Sequence, residues 1–253
     1  MERLRITNPD RFKVVGLGEY GLPGGSYFDE FSEHIHVIEP FVLPKHWKRY
    51  RVLDYGLDML ACYWIAVDTQ GRAYVYKEVY ENDLIISKAA KRILSMTTSQ
   101  EEISLTYAPP DLWNRRQETG KSAADIFQEN GLTLVKSSND RVSGWYALKE
   151  WLSVYETQDE QTGDTKQDSL LKIFKNCKNL IRCLPQLQRD EKDPNDVANE
   201  PHEITHAPDA LRYFCVMRTY PSKSPRKPLK DGFYLPSELE DMGYKKMEIK
   251  KVR

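Results

Sequence analysis

Residues 50–80 read YRVLDYGLDMLACYWIAVDTQGRAYVYKEVY, three β-rich runs parted by short turns. Tyr, Val, Ile and Trp crowd the runs, and DTQGR between the second and third carries a hairpin signal. The stretch predicts an antiparallel three-stranded meander, so the rest of the chain must cover a sheet. One residue does not suit that reading. Asp54 closes the first apolar run instead of sitting in a turn. A carboxylate inside a sheet loses hydration worth several kcal/mol unless a cation or hydrogen bonds replace it.

Beyond the meander, ENDLIISKAAKRILSM places Leu84, Ile85, Ala89, Ile93 and Leu94 roughly on one helical face. ISLTYAPPDLW predicts a short strand broken by Pro109 and Pro110. TGKSAADIFQENGL predicts a helix with Thr119 or Ser122 as N-cap and Gly131 as its stop, and after LTLVKS a third helix covers DRVSGWYALKEWL. Residues 156–169 are polar and turn-rich, a mobile loop or hairpin tip. LLKIFKNCKNLIRCLPQLQ reads as a strand running into a helix that Pro185 helps end, and Pro208 with Asp209 suits the first turn of a last helix. This order predicts an α/β domain with helices packed on a mixed sheet. Residues 1–46 are read as an N-terminal arm or linker, 47–220 as the core and 221–253 as a basic tail.

Composition narrows the function. Thirty-seven Lys and Arg against 38 Asp and Glu leave a net charge of -1, so no global field attracts polyanions and any nucleic-acid contact must be local. No apolar stretch approaches the roughly 20 residues of a membrane span, and MERLRITNPDRF lacks the apolar core of a signal peptide. A soluble protein that is not exported and has no membrane partner is expected. Cys62, Cys177, Cys183 and Cys215 show no CxxC spacing, which predicts reduced thiols and no structural zinc. Gly16, Gly18 and Gly21 match GxGxxG, but Pro23, Gly24 and Gly25 follow at once and deny the helix start that a dinucleotide site needs. No P-loop is present. His34 and His36 are read as alternating onto one polar face of a strand, not as metal ligands.

Three aspartates stand where a strand or helix ends beside apolar sequence: Asp54 in VLDYG, Asp111 in YAPPDLW and Asp209 in HAPDALRY. Singly, each has an ordinary structural reading: a turn start, a helix cap and a first-turn acid. Together in one cleft they would repel unless divalent cations neutralised them, and hard oxygen donors favour Mg2+ or Mn2+.

The segments DRFKVVGLGEYGLPGGSYFDEF, IEPFVLPKHWKRYRVLDYG, YAPPDLWNRRQETGKSAADIFQENGL, NDRVSGWYALKEWL and THAPDALRY resemble, in colinear order, the C-terminal nuclease domain of tailed-phage large terminase subunits. The resemblance runs over roughly residues 8 to 216, and LDYG, APPDLW and HAPDALRY are its most specific parts. It implies an RNase H-like (retroviral-integrase-like) fold, a mixed sheet with helices on both faces. It also implies a two-metal endonuclease that cuts concatemeric double-stranded viral DNA, with Asp54 bridging two Mg2+ or Mn2+ ions and Asp111 and Asp209 each completing one. The implied partners are DNA, a terminase ATPase domain absent from this sequence, the portal and the small terminase subunit, in the cytoplasm of the host of a phage or prophage. Another RNase H-like nuclease of the resolvase or transposase kind, or a non-catalytic docking module of the packaging motor, remains the alternative.

Lesser candidates surround these acids. Asp58 is a supporting group or a turn residue, and His206, three residues before Asp209, faces the same way on a helical turn. Asp68 is read as a hairpin-turn residue. Arg212 is read mainly as a structural residue, one turn after Asp209. Candidate DNA contacts are Lys45, Lys48, Arg49 and Arg51 in KHWKRYR, and Arg115, Arg116 and Lys121 in RRQETGK.

Overall fold

The computed structural model describes residues 26–56, 58–158 and 163–218 of the 253. The GxGxxG match at Gly16, Gly18 and Gly21, the tip of the 156–169 segment and the basic tail lie outside the described residues. The expected meander forms β2 (Lys48–Tyr55), β3 (Leu60–Val67) and β4 (Ala73–Glu81), antiparallel throughout. With β1 (Val37–Ile38), β5 (Ile103–Ala108), β6 (Val135–Lys136) and β9 (Leu171–Phe174) they make a seven-stranded sheet in the order β1-β9-β4-β3-β2-β5-β6. The β2-β5, β5-β6, β4-β9 and β1-β9 pairs are parallel. The central run β4-β3-β2-β5-β6, with β3 antiparallel to its neighbours, is the RNase H-like arrangement. Residues 156–169 contribute to a separate two-stranded hairpin, β7 (Val154–Gln158) with β8 (Thr165–Ser169).

Helices cover both faces of the sheet. One core layer joins α2 (Ile86–Met96) and α3 (Ala123–Glu129) to Leu53, Tyr55, Leu60, Cys62 and Trp64. The other joins α4 (Arg141–Leu152), α5 (Lys178–Cys183) and α6 (His206–Met217) to Tyr50, Val52, Ala61, Tyr63 and Ile65. Strand side chains alternate between the two faces. Asp54, in step with Tyr50 and Val52, therefore faces the α6 side. The four cysteines are free and buried.

A bulge in β4 decides another orientation. Pairing steps from Trp64↔Lys77 to Ile65↔Val75, leaving Tyr76 as the extra residue. The alternation reverses there: Tyr74, Tyr76 and Val79 share the α2 side, so Glu78 turns toward α5. Its carboxylate accepts the N–H of Asn179 at 3.0 Å and of Leu180 at 3.3 Å. Those are orphan donors of a helix whose own N-cap, Cys177, makes no side-chain capping bond.

Two readings of the sequence need correction. His34 and His36 lie in a one-turn helix, α1 (Glu33–His36), not in a strand, because the N–H groups of Ile35 and His36 turn back to the carbonyl of Ser32. They do not share a polar face. His34 is exposed, whereas His36 is buried with Nε2 at 2.8 Å from the Leu152 carbonyl and Nδ1 at 2.9 Å from that of Ser32. The core also begins before residue 47. Tyr27 and Phe28 are buried against Trp145, and β1 extends the sheet. Asp68 is a turn residue as expected, accepting the N–H groups of Gln70 and Arg72, both at 2.8 Å.

Candidate active site

The site lies where β2 and β5, parallel neighbours, both end. Asp54 is the penultimate residue of β2, beside the small Ala61 on β3. Asp111 follows β5 in a one-turn 3-10 helix, Pro110–Trp113. Pro109 is held extended ahead of Pro110, and buried Leu112 anchors the turn in the α3-side core. Asp209 sits in the first turn of α6, which packs across β2, β3 and β5. Three elements from distant parts of the chain thus carry the three acids to one end of the sheet.

Asp54 acts electrostatically on both of the other acids. Asp111 is an exposed residue, but partial desolvation of its carboxyl and then the charge of Asp54 raise its pKa. Burial also pushes the Asp209 carboxyl up; the Arg212 guanidinium pulls the other way and the Asp54 charge adds to the rise. Tyr213 feels all three acids: burial and the charges of Asp54, Asp209 and Asp111 hold its hydroxyl well above its ordinary range, against Arg212. Asp54 is the common neighbour.

Each acid is held differently. Asp54 Oδ2 lies 2.8 Å from His206 Nδ1, and the other ring nitrogen, Nε2, lies 3.1 Å from Asp58 Oδ2. Burial lowers the affinity of His206 for its proton, but the bonds and charges of Asp54 and Asp58 outweigh burial, and its pKa is raised. Arg212, fully buried, places Nε at 2.9 Å and Nη2 at 2.8 Å from Asp209 Oδ1. Its guanidinium also stacks on Trp145 and Tyr213, at 4.9 and 4.5 Å from the ring centroids. The structural role read for Arg212 is thus positioning of Asp209.

That packing depends on a glycine. A Cβ at Gly144 of α4 would stand 2.6 Å from Arg212 Cγ and 2.8 Å from Cδ. Gly144→Ala should therefore destabilise by about 1–3 kcal/mol through overpacking and move the guanidinium off Asp209. Urea denaturation of the metal-free variant measures the first effect.

The basic candidates divide. Arg49 and Arg51 are buried and internally satisfied, a correction to the expected DNA contact. Arg49 donates to the carbonyls of Lys45, Trp47 and Pro44, and Arg51 donates to Thr106 and Thr97. Both point to the α2 side because they alternate with Tyr50 and Val52. Lys45 and Lys48 are exposed, but Lys48 begins β2, roughly 20 Å of strand from Asp54. A pocket of about 410 Å3 lined by Phe41, Arg49, Lys77 and Glu101 also lies by that far end. Arg115, Arg116 and Lys121 are exposed beside the Asp111 turn. Arg116 acts electrostatically on Tyr55, the neighbour of Asp54, and Lys121 pairs with Glu129 at 2.6 Å.

Sequence reasoning missed His202 and Tyr213. His202 Nδ1 lies 3.1 Å from the same Asp58 Oδ2 that His206 meets. The signal was the spacing in HEITH, residues 202–206. Tyr213, four residues past Asp209, was legible only as core.

Three carboxylates brought to the same end of the sheet are hard oxygen donors of the kind that suit a divalent cation, and Arg212 engages only one oxygen of Asp209.

No family model matches the chain, and no curated protein matches it. Solved structures do. The P22 large terminase nuclease domain superposes with a TM-score of 0.59 at 17% identity, covering 77% of this chain and 92% of that one. The large terminase of a thermophilic bacteriophage superposes with a TM-score of 0.57 at 16% identity, over 76% of this chain. The complex of that terminase with ATP-gamma-S gives 0.59 at 18% identity over 79% of this chain. This chain spans about half the length of the thermophilic-phage terminase, covering 44% and 47% of those two structures. No helix among the described residues is long and apolar enough to cross a membrane. The chain has the fold of the large terminase nuclease domains.

Proposed function

We propose that the chain is the metal-dependent endonuclease part of a viral DNA-packaging large terminase, cleaving double-stranded DNA. What supports this reading is the fold shared with terminase nuclease domains, together with the placement of Asp54 near the end of β2, Asp111 just after the parallel β5 and Asp209 in the first turn of α6, which packs on both strands. Asp54, Asp111 and Asp209 would hold two Mg2+ or Mn2+ ions, Asp54 contributing to both. Such ions activate a water and stabilise the leaving oxygen of a phosphodiester. Around them, His206 orients the Asp54 carboxylate and Arg212 fixes that of Asp209. Purified chain with supercoiled plasmid should nick and then linearise it in Mg2+ or Mn2+ and leave it intact in EDTA. Cleavage that persists in EDTA, or intact plasmid with every divalent ion, would refute the assignment.

DNA is held through Arg115, Arg116 and Lys121, exposed cations that follow the Asp111 turn in the chain. With a net charge of -1, binding by this chain alone is weak and salt-sensitive. An Arg115→Ala/Arg116→Ala pair should reduce the slope of log affinity against log salt by about two, measured by fluorescence anisotropy on a short duplex. An unchanged slope would place the phosphates elsewhere. The thermophilic-phage terminase, about twice as long, is solved with ATP-gamma-S, which supports an ATPase domain as the partner of this nuclease. Portal and small terminase subunit would complete the assembly in the host cytoplasm.

A further inference from the structure

We propose that Asp58, His202 and His206 form a binding site for one borderline transition-metal ion of the Zn2+ or Co2+ kind, which shares no ligand with the acid triad and adjoins it through the His206–Asp54 bond. The two histidines stand four apart on continuous helical backbone. The 3-10 turn His202–Ile204 passes through Thr205, at φ -81 and ψ -33, into α6. Residues four apart on such a backbone lie one turn apart on the same face, and the two rings meet edge to face with centroids 4.5 Å apart.

The third donor arrives from the β2–β3 connection. Asp58 Oδ2 lies 3.1 Å from His202 Nδ1 and 3.1 Å from His206 Nε2, and all three donor atoms fall within 4.8 Å of one another. Tetrahedral zinc bonds of about 2.0–2.2 Å place ligand atoms about 3.3–3.5 Å apart. The donors are therefore close to a metal-bound shape, and exposed Asp58 and His202 leave an entry path while His206 is buried. The second nitrogen of His206 is already held by Asp54, the carboxylate–histidine support that orients metal-bound imidazoles. Two imidazole nitrogens and one carboxylate favour a borderline ion over Mg2+, which prefers oxygen. The four cysteines alone gave no reason to expect zinc.

The spacing is that of the zinc-binding H-E-x-x-H pattern. Here the helix changes type within the motif and the third donor comes from a strand connection, so only ligand geometry carries over, not peptidase chemistry. A bound ion would clip the Asp58 segment to the start of α6 and pin His206 on Asp54. Binding stands independently of whether the acids cut DNA.

Calorimetric titration of the purified chain with Zn2+, in the presence of excess Mg2+, tests it without any cleavage assay. One equivalent should bind, and Co2+ should show visible absorption that one equivalent of Zn2+ removes. His202→Ala, at an exposed position, should keep the fold by circular dichroism and weaken Zn2+ binding at least about tenfold, whereas Asp111→Ala should bind as the parent does. Absence of Zn2+ binding, equal binding by His202→Ala, or loss of binding in Asp111→Ala would each overturn the proposal.

Discussion

Asp54→Ala should abolish metal-dependent plasmid cleavage, lowering the rate on the order of a thousandfold or more, the scale of losing a main electrostatic stabiliser of the transition state. Metal-free stability should hardly change. The variant loses the bond to His206 Nδ1 at 2.8 Å but also relieves the repulsion that pushes the Asp111 and Asp209 carboxyls up. The two effects oppose, leaving a net change of about 1 kcal/mol or less. Activity and stability then separate, as they do where function requires like charges to be held together. Asp68→Asn supplies the contrast. That carboxylate accepts bonds from Gln70, Arg72 and Tyr74 in a hairpin turn, so the variant should lose stability and keep its cleavage rate per folded molecule. Gel cleavage rates beside urea denaturation for both variants make the comparison.

Arg212→Met should be the most destabilising single change at the site. The guanidinium is buried between Trp145 and Tyr213 and gives two bonds to Asp209 Oδ1. Methionine fills part of the volume but leaves a mostly buried carboxylate without its cation, a loss of about 3–5 kcal/mol. Arg212→Lys should fall between, because an ammonium can neutralise Asp209 but cannot form the planar fork or stack on both rings. Mn2+ should recover part of the loss in Arg212→Met, since a cation at the triad replaces some of the missing charge. Denaturation midpoints with and without Mn2+ measure this. A Met variant as stable as the parent would mean that Asp209 is compensated by something other than Arg212.

The sequence made legible whatever was local and periodic. The meander declared itself through dense β-branched and aromatic runs, and α3 through Ser122, whose side chain and Asp125 form a capping box, and through Gly131, which ends the helix at φ +84. The three acids could be named from their positions at element ends and from the resemblance. Their convergence depends on β2 and β5 lying side by side in parallel, and no local pattern encodes that pairing. The four residues of α1 are too few to show a period, and their alternation alone reads as a strand. KHWKRYR looked like a phosphate-tracking patch because aromatics interleave with cations. Burial of Arg49 and Arg51 became visible only once the pleat of β2 and the carbonyls of residues 44–47 were known. The reversal at Tyr76, and with it the capping role of Glu78, follows from a one-residue mismatch between two strands.

The most direct measurement is an anomalous difference map from crystals of the chain soaked in Mn2+. Mn2+ peaks should stand in coordination contact with Asp54, one shared with Asp111 and one with Asp209, while Arg212 still holds one oxygen of Asp209. A map in which Asp54 remains bonded to His206 and no peak touches its carboxylate would contradict the claim that these three acids form the metal centre of a nuclease.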